Sequence, residues 1–384
     1  MKLALQIILW ANVGLIAYVY FGYPALLLIL CQFKGNQPSL PKDNFEPMIS
    51  MIIAAYNEEQ DIAHKLENSL ALDYPRDKLE IIVVSDGSTD KTAEIVRNYA
   101  IQGVKLVNLV QNVGKASAQN ETVKQAVGDI LLFTDANVSL QRDAVHKLVR
   151  HFLDNTVGCV VGRVTYINEG ETGVSEGEGL YWRYELFLRH KESQVGNLVA
   201  GSGPIMAIRK TLFEPLDSAI SDDFVLPMKS AIKGCRTLYE PEAISSERLY
   251  QVNMRDMFRT RVRTIMLDTR SILLCRALLN PLRYPLYALG LVSHKILRWL
   301  VPYFLIIIFA VNLFLLGQPF YNLILSLQII FYALAMGGYL WQKIGKPPRF
   351  LGIPFSFCLV NTAALIGVAK FAMGKKSGRW KPVR

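Results

Sequence analysis

Three stretches of this chain carry no charge over lengths comparable to a bilayer, and they limit its architecture more than any other feature. Leu3–Phe33, Trp299–Gln342 (44 positions) and Phe350–Ala369 contain no Asp, Glu, Lys or Arg. A helix needs about 20 apolar residues to cross a hydrocarbon core. The first run supplies one span, too long and too poor in small residues to read as a cleavable signal. The second is long enough for two, divided at Gly317-Gln-Pro319, and the third supplies one more. Lys and Arg near the span ends set orientation. Lys34 and Lys42 follow the first span, Lys295 and Arg298 precede the second, and Lys343, Lys346 and Arg349 follow the third. This predicts a multi-pass protein of the plasma (inner) membrane with its polar middle in the cytosol. The last run is basic on both sides, and Pro354 and Asn361 within it leave both a span and a re-entrant helix open.

The same flanks account for most of the net charge of +10. No basic patch with interleaved aromatics accompanies it, so no nucleic-acid partner is expected. The five cysteines form no CxxC pair and read as reduced packing residues. The domain plan is then 1–33 a transmembrane helix, 34–47 a linker, 48–250 a cytosolic α/β domain and 251–298 interfacial amphipathic helices. Residues 299–374 are two spans plus the span or re-entrant helix, and 375–384 is a basic tail.

Within 48–250, continuous apolar runs alternate with helical segments. Met48–Ala55, Leu79–Val84, Val104–Val110 and Ile130–Phe133 suit strands buried on both faces of a parallel, doubly wound sheet. Ligands in such sheets sit beyond the carboxyl ends of the strands, and oxygen-rich residues stand there. Ala55-Tyr56-Asn57-Glu58 follows the first strand, Asp86-Gly87 the second, and Thr134-Asp135-Ala136-Asn137 the fourth. Asp135 and Asn137, two residues apart, suit a hard cation such as Mg²⁺ or Mn²⁺, although Asp-x-Asn after a strand is more often an Asx turn. Asp86 suits a base or ribose, or equally a helix cap. Lys115, behind Asn112 and Gly114 at a helix start, suits a diphosphate, or is a solvated lysine. The Gly-x-Gly-x-x-Gly fingerprint is missing after the first strand, which disfavours a dehydrogenase.

Taken in order, Ile53–Glu59, Val84–Asp90, Asn112–Lys115 and Thr134–Asn137 resemble the nucleotide-sugar motifs of family 2 inverting glycosyltransferases. The spans resemble the branch with cellulose, hyaluronan and poly-N-acetylglucosamine synthases. The resemblance implies a glycosyltransferase A-type, Rossmann-like domain between transmembrane helices, a hexosyltransferase activity and a nucleotide-diphosphate sugar donor, most commonly a UDP-sugar. It implies Asp223, in Ser221-Asp222-Asp223-Phe224, as the catalytic base, with Asp222 where a glutamate is commoner. Gly201, Ser202 and Gly203 correspond to the loop shaping the acceptor and donor-sugar pocket. Asn137 departs from the family's usual aspartate, which predicts a metal requirement that persists but is higher. Of the family's Gln-x-x-Arg-Trp, Thr260–Thr264 keeps only Arg263, a candidate for holding the leaving diphosphate. The missing Gln and Trp favour single addition to a lipid-linked or glycan acceptor over processive synthesis, which stays the alternative. A catalytically silent membrane scaffold is the alternative of another class. The basic run Arg255–Arg270 also suits a helix lying on anionic membrane lipid.

Overall fold

The computed structural model describes residues 1–33, 45–168, 176–196, 198–249 and 254–375. Most of the expected linker (Lys34 and Lys42 among it), the first residues of the interfacial segment and all but Lys375 of the basic tail lie outside them.

The apolar runs of the domain become β1 (Ile49–Ala55), β2 (Leu79–Asp86), β3 (Val104–Leu109) and β4 (Ile130–Asp135). They pair in parallel in the order β3-β2-β1-β4. Every residue of β1 and β2 is buried. Ile52 and Ala54 join one core, while Ile49, Met51 and Ile53 join the core on the opposite face. That is why these strands show no alternation in sequence, and each fully buried Ile contributes about 1.5–3 kcal/mol.

The second half of the sheet departs from the parallel expectation. β5 (Val138–Leu140), β6 (Val157–Asn168), β7 (Met206–Arg209) and β8 (Arg236–Leu249) extend the sheet as β4-β7-β6-β8-β5. β7 runs antiparallel to both β4 and β6, and β5 antiparallel to β8, while β6 and β8 are parallel. The result is one mixed eight-stranded sheet, with the parallel reading correct for its first four strands.

The helices used below are α1 (Lys2–Phe33), α2 (Ile62–Leu70), α3 (Thr92–Asn98), α4 (Lys115–Val123), α5 (Ala144–Val149), α6 (Glu176–Val195), α7 (Asp222–Ile232), α8 (Met254–Leu274), α9 (Pro285–Phe314), α10 (Pro319–Trp341) and α11 (Arg349–Ala372). α1, α9, α10 and α11 are each long and apolar enough to cross a membrane. Two differences from the sequence reading stand out. Residues 285–298, expected as an interfacial helix, are the first turns of α9, because Pro285 occupies the helix N-terminus where its missing N–H costs nothing. The last run is one continuous helix of 24 residues, and Pro354 lies within it without dividing it. Short π-helical turns interrupt α1 at Tyr18–Gly22 and α9 at Leu291–Ile296. They meet where the Tyr18 and Ser293 hydroxyls hydrogen-bond at 2.8 Å.

Candidate active site

The carboxyl ends of β1, β2 and β4 are level. Ala54 stands beside Asp135, and Ala55 beside Ser85, so their loops open on one rim. Asn57 adopts a left-handed φ of 56°, which asparagine tolerates better than most residues. Its Oδ1 accepts the Thr89 N–H at 2.8 Å, and its own N–H donates to Ser88 Oγ at 3.1 Å. The buried Glu58 donates its N–H to Thr92 Oγ1. Tyr56, Asn57 and Glu58 therefore belong to a strap joining the two loops.

Asp86 is buried and accepts the N–H groups of Val113 at 2.7 Å and Gly114 at 2.9 Å. Gly87 behind it has φ 67°, and a Cβ there would lie 2.4 Å from the Asn112 nitrogen. Two of the backbone N–H groups before Lys115 are thus held by Asp86 rather than free for a phosphate. What the loop contributes is a fixed position for Lys115.

Lys115 is where the site converges. Its Nζ lies 2.7 Å from Asp135 Oδ1 and 3.4 Å from Asp222 Oδ2. Asp222 also accepts from Gln119 Nε2 at 2.9 Å. Both aspartates of the second motif form the first turn of α7, where negative charge faces the positive end of the helix. Ser221 Oγ donates to Asp223 Oδ1 at 2.5 Å.

The loop before β7 completes the cleft. The Gly201 N–H donates to the Asp223 carbonyl at 3.0 Å, and a Cβ on Gly201 would stand 2.3 Å from that oxygen. Beyond the buried Ser202, a methyl on Gly203 would lie 3.4 Å from Lys115 Nζ, 3.8 Å from Asp135 Oδ2 and 3.8 Å from Asp223 Oδ2. Glycine leaves that shared space open. Arg263, on α8, has a buried Nε without a hydrogen-bond partner among the described residues and is attracted electrostatically by Asp222.

The charges shape one another. Burial and the neighbouring Asp222 carboxylate push Asp223 above the ordinary carboxylate range. Burial also acts on Asp222, but Lys115 and Gln119 outweigh it and hold Asp222 below that range. Two adjacent carboxyls are driven apart, Asp223 upward and Asp222 downward.

Two residues absent from the sequence reading join the site. Glu247 on β8 stands opposite Val138 of β5, and Asn137 Nδ2 donates to its Oε1 at 3.3 Å. Burial and the charge of Asp135 push its carboxyl up to about 7. Asp268 on α8 is buried, and burial with the charge of Asp223 raises it to about 8. Neither sits in a motif; only the pairing of β5 with β8 and the docking of α8 bring them in.

Among the described residues no group of three His, Cys, Asp or Glu forms a metal cage. The oxygen set Asp135, Asn137 and Glu247 nevertheless fits a hard divalent ion that takes its remaining ligands from phosphate.

A four-strand parallel half continued by a mixed half, with an acidic cleft at the strand ends, defines a glycosyltransferase A-type domain. Residues 50–216 match the model of Glycosyl transferase family 2. The chain is 30% identical over 232 residues to a probable glycosyltransferase of Bacillus subtilis (strain 168), covering 56% of this chain and 54% of that protein. It is also 30% identical over 222 residues to the poly-β-1,6-N-acetyl-D-glucosamine synthase of Staphylococcus aureus (strain COL), covering 55% and 52%. The chain thus spans about half the length of the curated relatives it matches. In fold it is similar to a mannosyltransferase from Pyrobaculum calidifontis solved with GDP-Man and Mn²⁺, with TM-score 0.71, 24% identity, and coverage of 96% of this chain and 99% of that one.

Proposed function

We propose that the chain is a membrane-bound inverting glycosyltransferase, moving a hexose from a nucleotide-diphosphate sugar to an acceptor hydroxyl in one displacement. The observation that carries the reading is the convergence of Lys115, Asp135 and Asp223 on the space above Gly203. A cation and two carboxylates around one cleft suit a diphosphate leaving group on one side and an acceptor proton on the other.

Asp223, with its raised pKa, is the base that takes the acceptor proton. Lys115 and Arg263 offer positive charge to the departing diphosphate. The strap of Ala55, Tyr56, Asn57 and Glu58, with Asp86 beside it, is the wall for the nucleoside. Asp135, Asn137 and Glu247 would hold Mg²⁺ or Mn²⁺, which when bound neutralises charge on the diphosphate. The Pyrobaculum protein's Mn²⁺ and nucleotide sugar agree with this assignment.

Single addition is favoured over processive synthesis because Thr264 lines the cavity beside Asp223 where the resembling synthases carry tryptophan. The converged charges speak against a silent scaffold. The basic flanks of the apolar helices support a catalytic domain on the cytosolic side of the plasma membrane. A panel of nucleotide sugars offered to the purified protein, with nucleotide release as readout, tests the reading. Release from one donor, dependent on divalent metal, is expected. No release from any donor, or release unaffected by chelator, overturns it.

A further inference from the structure

A cavity of about 710 Å³ begins at Gly201 and Asp223 and runs away from the sheet toward the apolar helices. Its far walls are made of segments that belong to the spans. Tyr20 and Phe21 come from the π-turn of α1, and Ile353, Phe357 and Val360 from α11. α8 closes one side with Thr264 and Ile265.

Its middle is cationic. Arg189, Arg261, Lys295 and Arg298 line it together with His294, against Glu185, Asp223 and Asp268. Glu185 is shared by Arg189 at 3.3 Å, His294 at 3.1 Å, Lys295 at 3.3 Å and Arg298 at 2.9 Å. Glu192 takes the other nitrogen of His294 at 2.7 Å, but one carboxylate cannot neutralise Arg189, Lys295 and Arg298 together, and Asp268, pushed up to about 8, adds little charge near neutrality. The Arg298 guanidinium lies 4.6 Å from the ring centre of Tyr181 and 5.3 Å from that of Tyr184. It is held in place to face an anion rather than left to swing into solvent.

Building on the glycosyltransferase reading, we infer that the acceptor is an anionic lipid: a hydroxyl-bearing head set against Asp223, a phosphate among Arg298, Lys295 and Arg261, and a hydrocarbon chain between α1, α8 and α11. The order hydroxyl, phosphate, hydrocarbon matches the order carboxylate, cations, apolar wall along the cavity. In the step itself, the acceptor oxygen forms its bond to the anomeric carbon as the bond to the diphosphate oxygen breaks. The electron pair leaves with the nucleoside diphosphate, and the hydroxyl proton passes to Asp223.

Binding is tested first, without turnover. The full chain in phosphatidylcholine nanodiscs is photolabelled with a diazirine-bearing dodecyl phosphate and with the corresponding dodecanol probe, and the adducts are mapped by mass spectrometry. The phosphate probe should label α8 and α11 residues of the cavity at concentrations at least tenfold lower than the alcohol. Arg298→Gln should erase the difference, and Val360→Trp, which fills the apolar end, should weaken labelling by both. Equal labelling of wild type by the two probes, or labelling confined to outer helix faces, overturns the inference. Transfer then separates the lipid sources. Phytanyl-diphosphate-linked N-acetylglucosamine, phosphatidylinositol and methyl N-acetylglucosaminide are offered with the donor that releases most nucleotide. Use of either lipid over the soluble glycoside supports the inference and names the source; preference for the soluble glycoside overturns it. Selective phosphate labelling with no nucleotide release from any donor would instead overturn the glycosyltransferase reading while the lipid site stood.

Discussion

Asp223 and Asp222 sit side by side, yet only one of them is set up to accept a proton. Asp222 is committed to Lys115 and Gln119, and its charge, after burial, is what raises Asp223. Asp223→Asn should therefore cut transfer by about 10²–10⁴-fold, the range of a positioned general base, while nucleotide affinity measured by calorimetry stays within twofold. Retained turnover would remove Asp223 from the role. Because a base must be unprotonated, kcat/KM should fall as pH drops through its raised pKa. Asp222→Asn removes the like charge and should move that acid limb to lower pH; an unmoved limb would sever the coupling. The metal side yields a third expectation. Asn137 offers a neutral oxygen where a carboxylate binds hard cations better, and its amide already leans on Glu247. Asn137→Asp should lower the Mn²⁺ concentration for half-saturation, read by electron paramagnetic resonance of Mn²⁺ binding in the presence of nucleoside diphosphate. Asp86, Lys115 and Asp135 could be singled out in the sequence because each ends a strand or opens a helix, whereas Asp223 was singled out only by the resemblance of Ser221–Phe224 to a family motif. Glu247 was not, since its place depends on a strand pairing between residues more than a hundred positions apart.

The elements repeat that contrast. β1, β2 and β4 could be read directly because they are buried on both faces and so uniformly apolar. β6 and β8 could not. They carry Arg163, Thr165, Glu240 and Ser246 within long strands whose register shifts at Gly162, so no simple period survives. α8 was legible as a basic amphipathic helix but not for what fixes it. Gly367 of α11 lies against it: a Cβ there would stand 3.0 Å from Ile265 and 3.1 Å from the Val262 carbonyl. Those two residues flank Arg263 in the same turn of helix. Gly367→Leu should therefore push α8 outward and cost the enzyme the leaving-group charge. The expected result is a loss of kcat of about tenfold or more, the cost of misplacing a charged group at a reacting centre, with little change in the amount of protein that extracts folded. Unchanged kcat would mean that α8 is positioned by the domain alone.

At the scale of the molecule, the domain and its helices are joined by buried charge rather than by a simple tether. Glu192 of α6 accepts from the Tyr23 hydroxyl of α1 at 2.8 Å and pairs with His294 Nδ1 of α9 at 2.7 Å. The same imidazole reaches Glu185 through Nε2 at 3.1 Å. Three segments separated by more than a hundred residues in sequence thus meet around one ring that is itself fully buried. The spans were legible because charge is missing from them; this junction was not, because its members are single residues in unrelated stretches. Its physical consequence can be measured. A buried carboxylate stripped of its partners costs on the order of 3–5 kcal/mol. His294→Ala leaves Glu192 with only the Tyr23 hydroxyl and the Val199 N–H, whereas Glu185 keeps Arg189, Lys295 and Arg298, so the whole protein in detergent should melt lower. Adding Glu192→Gln, which removes the stranded charge, should recover part of the loss. A domain cut free as residues 45–250 loses Tyr23, His294, Lys295 and Arg298 together. It also loses Ile272, Cys275, Leu278, Tyr287 and Leu291 from one of its two cores, and it should show a low or absent cooperative melt even though every strand of its sheet is retained. A cut domain that melts cooperatively at the temperature of the whole chain would show instead that the helices serve only as an anchor.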